Sequence, residues 1–189
     1  MFKFYNKSHE YYDKIAKVYD EMYKDCYWLV ARAHIEEFIK KYVGTIEGKL
    51  ILDVGSGTGE WSLWAAKQRA IVHLLEPSKE MLEISKNKLS AHFNLNILNS
   101  FKFYNMTIEE FQPNDLEPGK EVRYDIIFLL GDVLSYVEKL DKALITIKSV
   151  SKPGTILLGT VDNYYSYVRD IIIHGEWSDY AELEKKSRE

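Results

Sequence analysis

The sequence predicts an α/β fold: a doubly wound, mostly parallel sheet with helices on both faces. Three observations carry this. Beyond residue 45, short apolar runs alternate with amphipathic stretches. The first apolar run breaks into a glycine-rich turn that leads straight into a helical pattern. The 189 residues correspond to about one domain, enough to bury roughly 70% of the unfolded surface in a core. Strands that alternate with helices pair in parallel, because a parallel neighbour needs a long crossover.

The elements follow in order. Residues 1–43 read as helical, with Ile15, Val18, Tyr19 and Met22, then Ile35, Phe38, Ile39 and Val43, at helical spacing. Lys49–Val54 (KLILDV) reads as a buried strand, and Trp61–Arg69 as a helix. Ile71–Leu75 (IVHLL) is a second strand, stopped by Glu76-Pro77-Ser78. Ser78 caps a helix over Lys79–Ser90, its hydroxyl accepting a free amide of the first turn. Asn96–Asn105 is mixed and holds a third strand at Phe101–Tyr104; Thr107–Phe111 is a short turn or helix. Gln112–Val122, with Pro113, Pro118 and Gly119, is a surface loop. Asp125–Leu130 (DIIFLL) is a fourth buried strand, and Leu140–Val150 an amphipathic helix ended by Lys152-Pro153-Gly154. Thr155–Val161 (TILLGTV) is the fifth strand, and Asn163–Ile173 is read as one more helix. No repeat, low-complexity tract or linker interrupts this order.

Composition excludes several classes. Four Pro and ten Gly are too few for a disordered or fibrous chain. The single Cys26 rules out an internal disulfide and reads as a buried apolar residue. A net charge of −4 and a pI of 5.8 argue against nucleic acid or an anionic membrane as partner. The longest uncharged apolar stretch, Ile126–Gly131, falls far short of the ~18 residues of a membrane helix, and Met1–Tyr12 has no signal-peptide core. The expectation is a single-domain cytoplasmic protein. The histidines (His9, His34, His73, His92, His174) show no metal-ligand spacing, so no metal site is expected.

In a parallel sheet, ligands bind at the C-terminal ends of the strands. That nominates Gly55–Gly59, Glu76, Asn105–Met106 and Leu130–Asp132. The sharpest signal is Asp53-Val54-Gly55-Ser56-Gly57-Thr58-Gly59. Glycines there permit a tight turn and close approach of a ligand. The following helix offers free amides to polar groups. Glu76 ends the second strand 21 positions after Gly55, where a carboxylate can accept from both hydroxyls of a ribose. A dinucleotide fingerprint wants Gly or Ala at the sixth position, which here is Glu60. A phosphate loop would need Gly-Lys-Ser/Thr, which is absent.

The chain resembles a class I S-adenosylmethionine-dependent methyltransferase, with a Rossmann-like fold, over about residues 11–162. The resemblance rests on ordered motifs: YYDKIAKVYDEMY, ILDVGSGTGEWSLWAA, VHLLEPSKEMLEISKNKL, FYNMTIEEF, YDIIFLLGDVLSYV and KPGTILLGTV. It implies S-adenosyl-L-methionine as cofactor and S-adenosyl-L-homocysteine as product. By that similarity the backbone of Gly55, Ser56, Gly57 and Gly59 holds the methionyl part, and Asp53 orients its amino group. Glu76 takes the ribose, with Pro77 and Met81 beside it. Asn105 accepts from the adenine amino group, where the family commonly has Asp, and Met106 supplies a backbone amide and an apolar contact. Leu130 and Gly131 line the sulfonium side.

Asp132 and Tyr136 lie nearest the expected acceptor and are the candidate catalytic residues; Asp132 reads equally as a helix cap. Tyr11, Tyr12 and Tyr19 are read as a lid, on the family's N-terminal helix (residues 1–45), over a cofactor core (46–162) and a tail (163–189). The Asp/Asn-Pro-Pro-Tyr signature of enzymes that methylate planar amines is absent. Only 28 residues follow Val161, so the expected sheet lacks the family's C-terminal hairpin and exposes an edge open to homodimer formation. Three readings stand at this point: transfer to N or O of a small molecule, a non-catalytic cofactor-binding protein, and an NAD-dependent oxidoreductase.

Overall fold

A computed structural model describes residues 8–112, 122–161 and 163–175. The order is α1 (Ser8–Met22), α2 (Cys26–Phe38), a wider π-turn (Ile39–Val43), β1 (Leu50–Val54), α3 (Glu60–Lys67) and β2 (Ile71–Leu75). It continues with α4 (Lys79–His92), α5 (Leu95–Leu98), β3 (Lys102–Tyr104), β4 (Tyr124–Leu129), a 3₁₀ turn (Val133–Ser135), α6 (Leu140–Ser149), β5 (Ser151–Gly159) and α7 (Tyr164–His174).

The described strands form one five-stranded parallel sheet in the order β3-β2-β1-β4-β5. The order reverses at β1, so crevices open beyond the C-terminal ends of β1, β2 and β4. Successive side chains of a strand face opposite ways. Ile51, Val72, Leu74, Ile126 and Phe128 therefore pack with Leu63, Trp64, Leu82 and Leu89 of α3 and α4 on one face. Leu52, Val54, Leu75, Ile127 and Leu129 pack with Ala143 and Ile147 of α6 on the other. Burial on both faces explains why these strands read as unbroken apolar runs.

Five sequence expectations need correction. β5 begins at Ser151, not Thr155, and runs through the segment expected to stop it. Between the pairs Tyr124↔Ser151 and Ile126↔Ile156 it takes five steps where β4 takes two. This bulge is held by Thr155 Oγ1, which donates to the Tyr124 carbonyl at 2.6 Å, and by the Lys152–Asp125 ion pair at 2.6 Å. Cys26 is exposed at the start of α2, where Asp25 rather than the thiol meets the chain by capping Trp28 N at 3.0 Å. The helical spacing of Ile15, Val18, Tyr19 and Met22 does not mark one buried face: Ala16 is the buried apolar residue of α1, while Val18 and Met22 are exposed. The unforeseen α5 is a single turn capped by Asn94. The helical reading of residues 1–43 is broken at 23–25, and its first seven residues lie outside the described ones, whereas from β1 onward the other helices and strands hold their expected places to within two residues; Ser78 caps α4 through Met81 N at 3.2 Å. The expected loop over Gln112–Val122 lies mostly, and the polar C-terminal segment wholly, outside the described residues. Among the described residues no strand follows β5, whose outer side chains Leu157 and Ile156 are exposed. No helix among them is long and apolar enough to cross a membrane.

Candidate functional site

The site forms where β1, β2 and β4 end. The turn after β1 is tied to the end of β2: Gly55 N and Ser56 N both donate to the Leu75 carbonyl, at 2.8 and 3.2 Å. One residue on, Glu76 closes the arrangement. Gly57 N donates to its Oε2 and Ser78 N to its Oε1, each at 2.8 Å. The carboxylate is 5% exposed, and burial pushes its pKa up to about 7. Asp53 lies deeper, 1% exposed, where it accepts from the Ser62 hydroxyl. Burial raises it to about 7 as well. Ser56 Oγ is buried without a hydrogen-bond partner among the described residues.

Above this turn lies a cleft of about 440 Å³, within the usual size for a small-molecule site. One end is walled by Gly55, Gly57, Leu75, Glu76, Pro77, Met81 and Met106. The other is walled by Leu130, Gly131, Val133 and Tyr136 from beyond β4, with Glu109, Glu110, Lys139 and Lys142 at the rim.

Helix α1 forms the roof. Tyr12 and Tyr19, two turns apart, both line the cleft. Tyr12 stacks edge-on with Tyr19 at 6.1 Å and with Tyr136 at 6.3 Å, and Tyr11 with Tyr12 at 5.4 Å. Burial holds the Tyr12 and Tyr19 phenols well above their ordinary pKa, so both are neutral donors. The residue after each tyrosine anchors the helix. Asp13 accepts from Ser78 Oγ at 2.6 Å and from Glu80 N at 3.3 Å, gripping the turn after β2. Asp20 accepts from the Thr58 hydroxyl and pairs with Lys88 at 2.7 Å, gripping the turn after β1. Lys88 is also paired with Glu60, which Arg32 of α2 meets at 2.7 Å. Burial alone would raise the Glu60 carboxyl, but these two cations more than offset it and lower its pKa.

Of the residues nominated from sequence, the cleft gathers Gly55, Gly57, Glu76, Pro77, Met81, Met106, Leu130, Gly131, Tyr12, Tyr19 and Tyr136. Asp53, Ser56, Gly59, Asn105, Asp132 and Tyr11 are not on its wall. Asn105 sits beside it, its Nδ2 donating to the carbonyls of Glu76 and Pro77 at 2.9 Å each. Asp132 has left-handed backbone (φ 60°) ahead of the 3₁₀ turn and makes no side-chain cap bond there. The lining residues His9, Thr107–Glu110, Val137, Glu138, Lys139 and Lys142 went unnominated. Apart from His9 on α1, they come from two segments joined only in space, where Glu109 Oε1 accepts from Glu138 N at 2.9 Å. Among the described residues no group of three or more His, Cys, Asp or Glu is arranged to hold a metal ion.

The profile of the methyltransferase domain family matches residues 27–185. The chain belongs to that family. An uncharacterised protein of Methanocaldococcus jannaschii is 30% identical over 185 residues, covering 95% of this chain and 62% of that protein. The ubiquinone biosynthesis O-methyltransferase of Pasteurella multocida is 28% identical over 146 residues, covering 74% of this chain and 57% of that one. The methyltransferase domain thus spans less than two thirds of the length of these relatives. Its fold is also that of the magnesium protoporphyrin IX methyltransferase of Synechocystis PCC 6803, solved with bound S-adenosylmethionine. That likeness has a TM-score of 0.60 at 17% identity, and covers 80% of this chain and 74% of that one.

Proposed function

We propose that the domain binds S-adenosylmethionine and transfers its methyl group to a nitrogen or oxygen of a small-molecule acceptor. The carrying observation is Glu76, a buried carboxylate at the end of β2, facing the glycine turn within a cleft of about 440 Å³. The residues present fit that cofactor. Glu76 would take the ribose hydroxyls, Met81 and Met106 the adenine faces, and the turn at Gly55 and Gly57 the amino-acid end. Asn105 keeps its carbonyl oxygen for adenine, since its amide is committed to backbone.

Bound cofactor would supply an already activated methyl group, so the protein's work is positioning and exclusion of water. Tyr12 and Tyr19 roof the cleft with neutral phenols and, with the Tyr136 ring on its wall, shield the reacting atoms. Tyr136, on the cleft wall, is assigned to orienting the acceptor, with Asp132 in the turn that carries it; the acceptor's proton leaves to a carboxylate or to solvent. The cleft volume of about 440 Å³ supports a small acceptor, and the O-methyltransferase relative supports an oxygen as one acceptor atom.

Calorimetric titration with S-adenosylmethionine, S-adenosylhomocysteine and NAD, with Glu76→Ala as control, tests this reading. Micromolar binding of the two sulfur nucleosides, lost in the variant and absent for NAD, supports it. Binding of NAD alone overturns it. Methyl release from labelled cofactor over a panel of amines and hydroxyls then separates an enzyme from a non-catalytic binder.

A further inference from the structure

The residue after Gly159, at the end of the edge strand β5, makes contacts that the reading above leaves unused. Thr160 Oγ1 accepts from two consecutive backbone amides, Gly131 N and Asp132 N, each at 3.0 Å. Its own amide donates to the Leu129 carbonyl at 3.2 Å. The hydroxyl therefore satisfies the turn after β4 at the point where its backbone is least ordinary. Gly131 has φ +91° and Asp132 has φ +60°. Left-handed backbone at a residue with a side chain is strained and persists only where surroundings hold it. Two amides aimed at one oxygen are such a hold.

What the turn carries makes the hold matter. Val133 follows directly, and a Cβ built on Gly55 would lie 2.7 Å from its Cγ2, so Val133 is pressed on the glycine turn after β1. Ser135 N and Tyr136 N then donate back to Asp132 and Val133, at 2.8 and 3.0 Å, which brings Tyr136 to the cleft beside Tyr12.

We propose that Thr160 is a positioning residue: its hydroxyl oxygen fixes the Gly131–Asp132 turn, and through it seats Val133 on Gly55 and Tyr136 on the cleft wall. Its consequence for the cofactor rests on the function proposed above. Thr160 touches neither the cleft nor any candidate ligand atom, and acts through the turn.

The test compares Thr160→Val, which keeps the shape and removes the acceptor, with Thr160→Ser, which keeps the oxygen. Amide hydrogen exchange at Gly131 and Asp132 is read by NMR, and the Kd for S-adenosylhomocysteine by calorimetry. Circular dichroism confirms that each variant is folded. The valine variant is expected to exchange at least tenfold faster at those two amides, and to bind about tenfold more weakly. The serine variant should restore both. Wild-type exchange and affinity in the valine variant overturn the proposal; so does a serine variant that behaves like valine. A wild-type protein that binds no S-adenosylhomocysteine overturns the cofactor reading instead, and the exchange rates still decide the role of Thr160.

Discussion

Gly57 and Glu76, at the mouths of adjacent strands, are joined by a 2.8 Å hydrogen bond from the amide of one to the carboxylate of the other. A ribose would meet that carboxylate already committed to two backbone donors and buried. Its protonation is therefore sensitive to pH in the neutral range, and so is that of Asp53 beneath it.

Stability should fall as pH rises through this range. Both carboxyls have folded pKa values of about 7 against ordinary values of 4.5 and 3.8. Between those limits the folded chain holds protons that the unfolded chain has released, so their contribution is complete below pH ~4 and lost above pH ~7. Thermal melts from pH 5 to 8 should show a declining Tm, and Glu76→Gln should flatten the slope. A Tm that rises over that interval, in wild type and variant alike, contradicts this.

Ligand affinity should run the other way. Ribose hydroxyls donate best to an ionised carboxylate, so S-adenosylhomocysteine binding should tighten as pH rises towards 7, by up to about tenfold per unit, and level off above it. Isothermal titration at pH 6, 7 and 8 checks both direction and plateau.

Two glycines in the turn after β1 differ in what a methyl group would strike. Gly59 (φ +80°) sits 2.8 Å, at its would-be Cβ, from Ser85 Cβ of α4, and Gly55 (φ +65°) sits 2.7 Å from Val133 Cγ2. Each Ala substitution combines left-handed strain with overpacking and should cost about 2–4 kcal/mol. Val133→Ala should recover the steric part in a Gly55→Ala background and nothing in a Gly59→Ala background. Denaturant melts of the four proteins test this.

The grip of α1 on the two turns should set how long a ligand stays. Asp13→Ala removes the acceptor of Ser78 Oγ and Glu80 N, and Asp20→Ala removes the acceptor of the Thr58 hydroxyl and one partner of Lys88. Loss of one charged hydrogen-bond partner is worth about 1.5–3 kcal/mol. Stopped-flow displacement of S-adenosylhomocysteine should therefore speed up by roughly tenfold in either variant, with faster proteolysis between α1 and α2. Unchanged release would leave α1 a fixed part of the wall.

Much of this was legible in the sequence, for physical reasons that differ by element. β2 and α4 were readable because a buried run stops at Glu76-Pro77-Ser78, and Ser78 then caps the helix. The start of β5 was not, because Lys152-Pro153-Gly154 has the composition of a stop. Only the neighbouring strand, through Asp125 and the Tyr124 carbonyl, makes it a bulge. Glu76 and the glycine turn could be nominated because they are local to strand ends. The Glu109–Glu138 join and the Thr160 bond could not, since each spans about thirty residues and is created only by folding. The outward turn of Cys26 is of the same kind: α2 has no buried residue at all, which its apolar sequence conceals.

The sheet order has a consequence for the nascent chain. β1 lies at the centre, yet one of its two neighbours, β4, arrives late: Leu50 N finds Asp125 Oδ2 across 75 positions. Until β4 has left the ribosome, β3, β2 and β1 present an open apolar edge that only closure from the C-terminal half can cover. Non-local parallel pairing of this kind is slow and exposed to misassociation. Translation speed through residues 100–130, and chaperone supply during it, should then govern yield more than the stability of the finished fold.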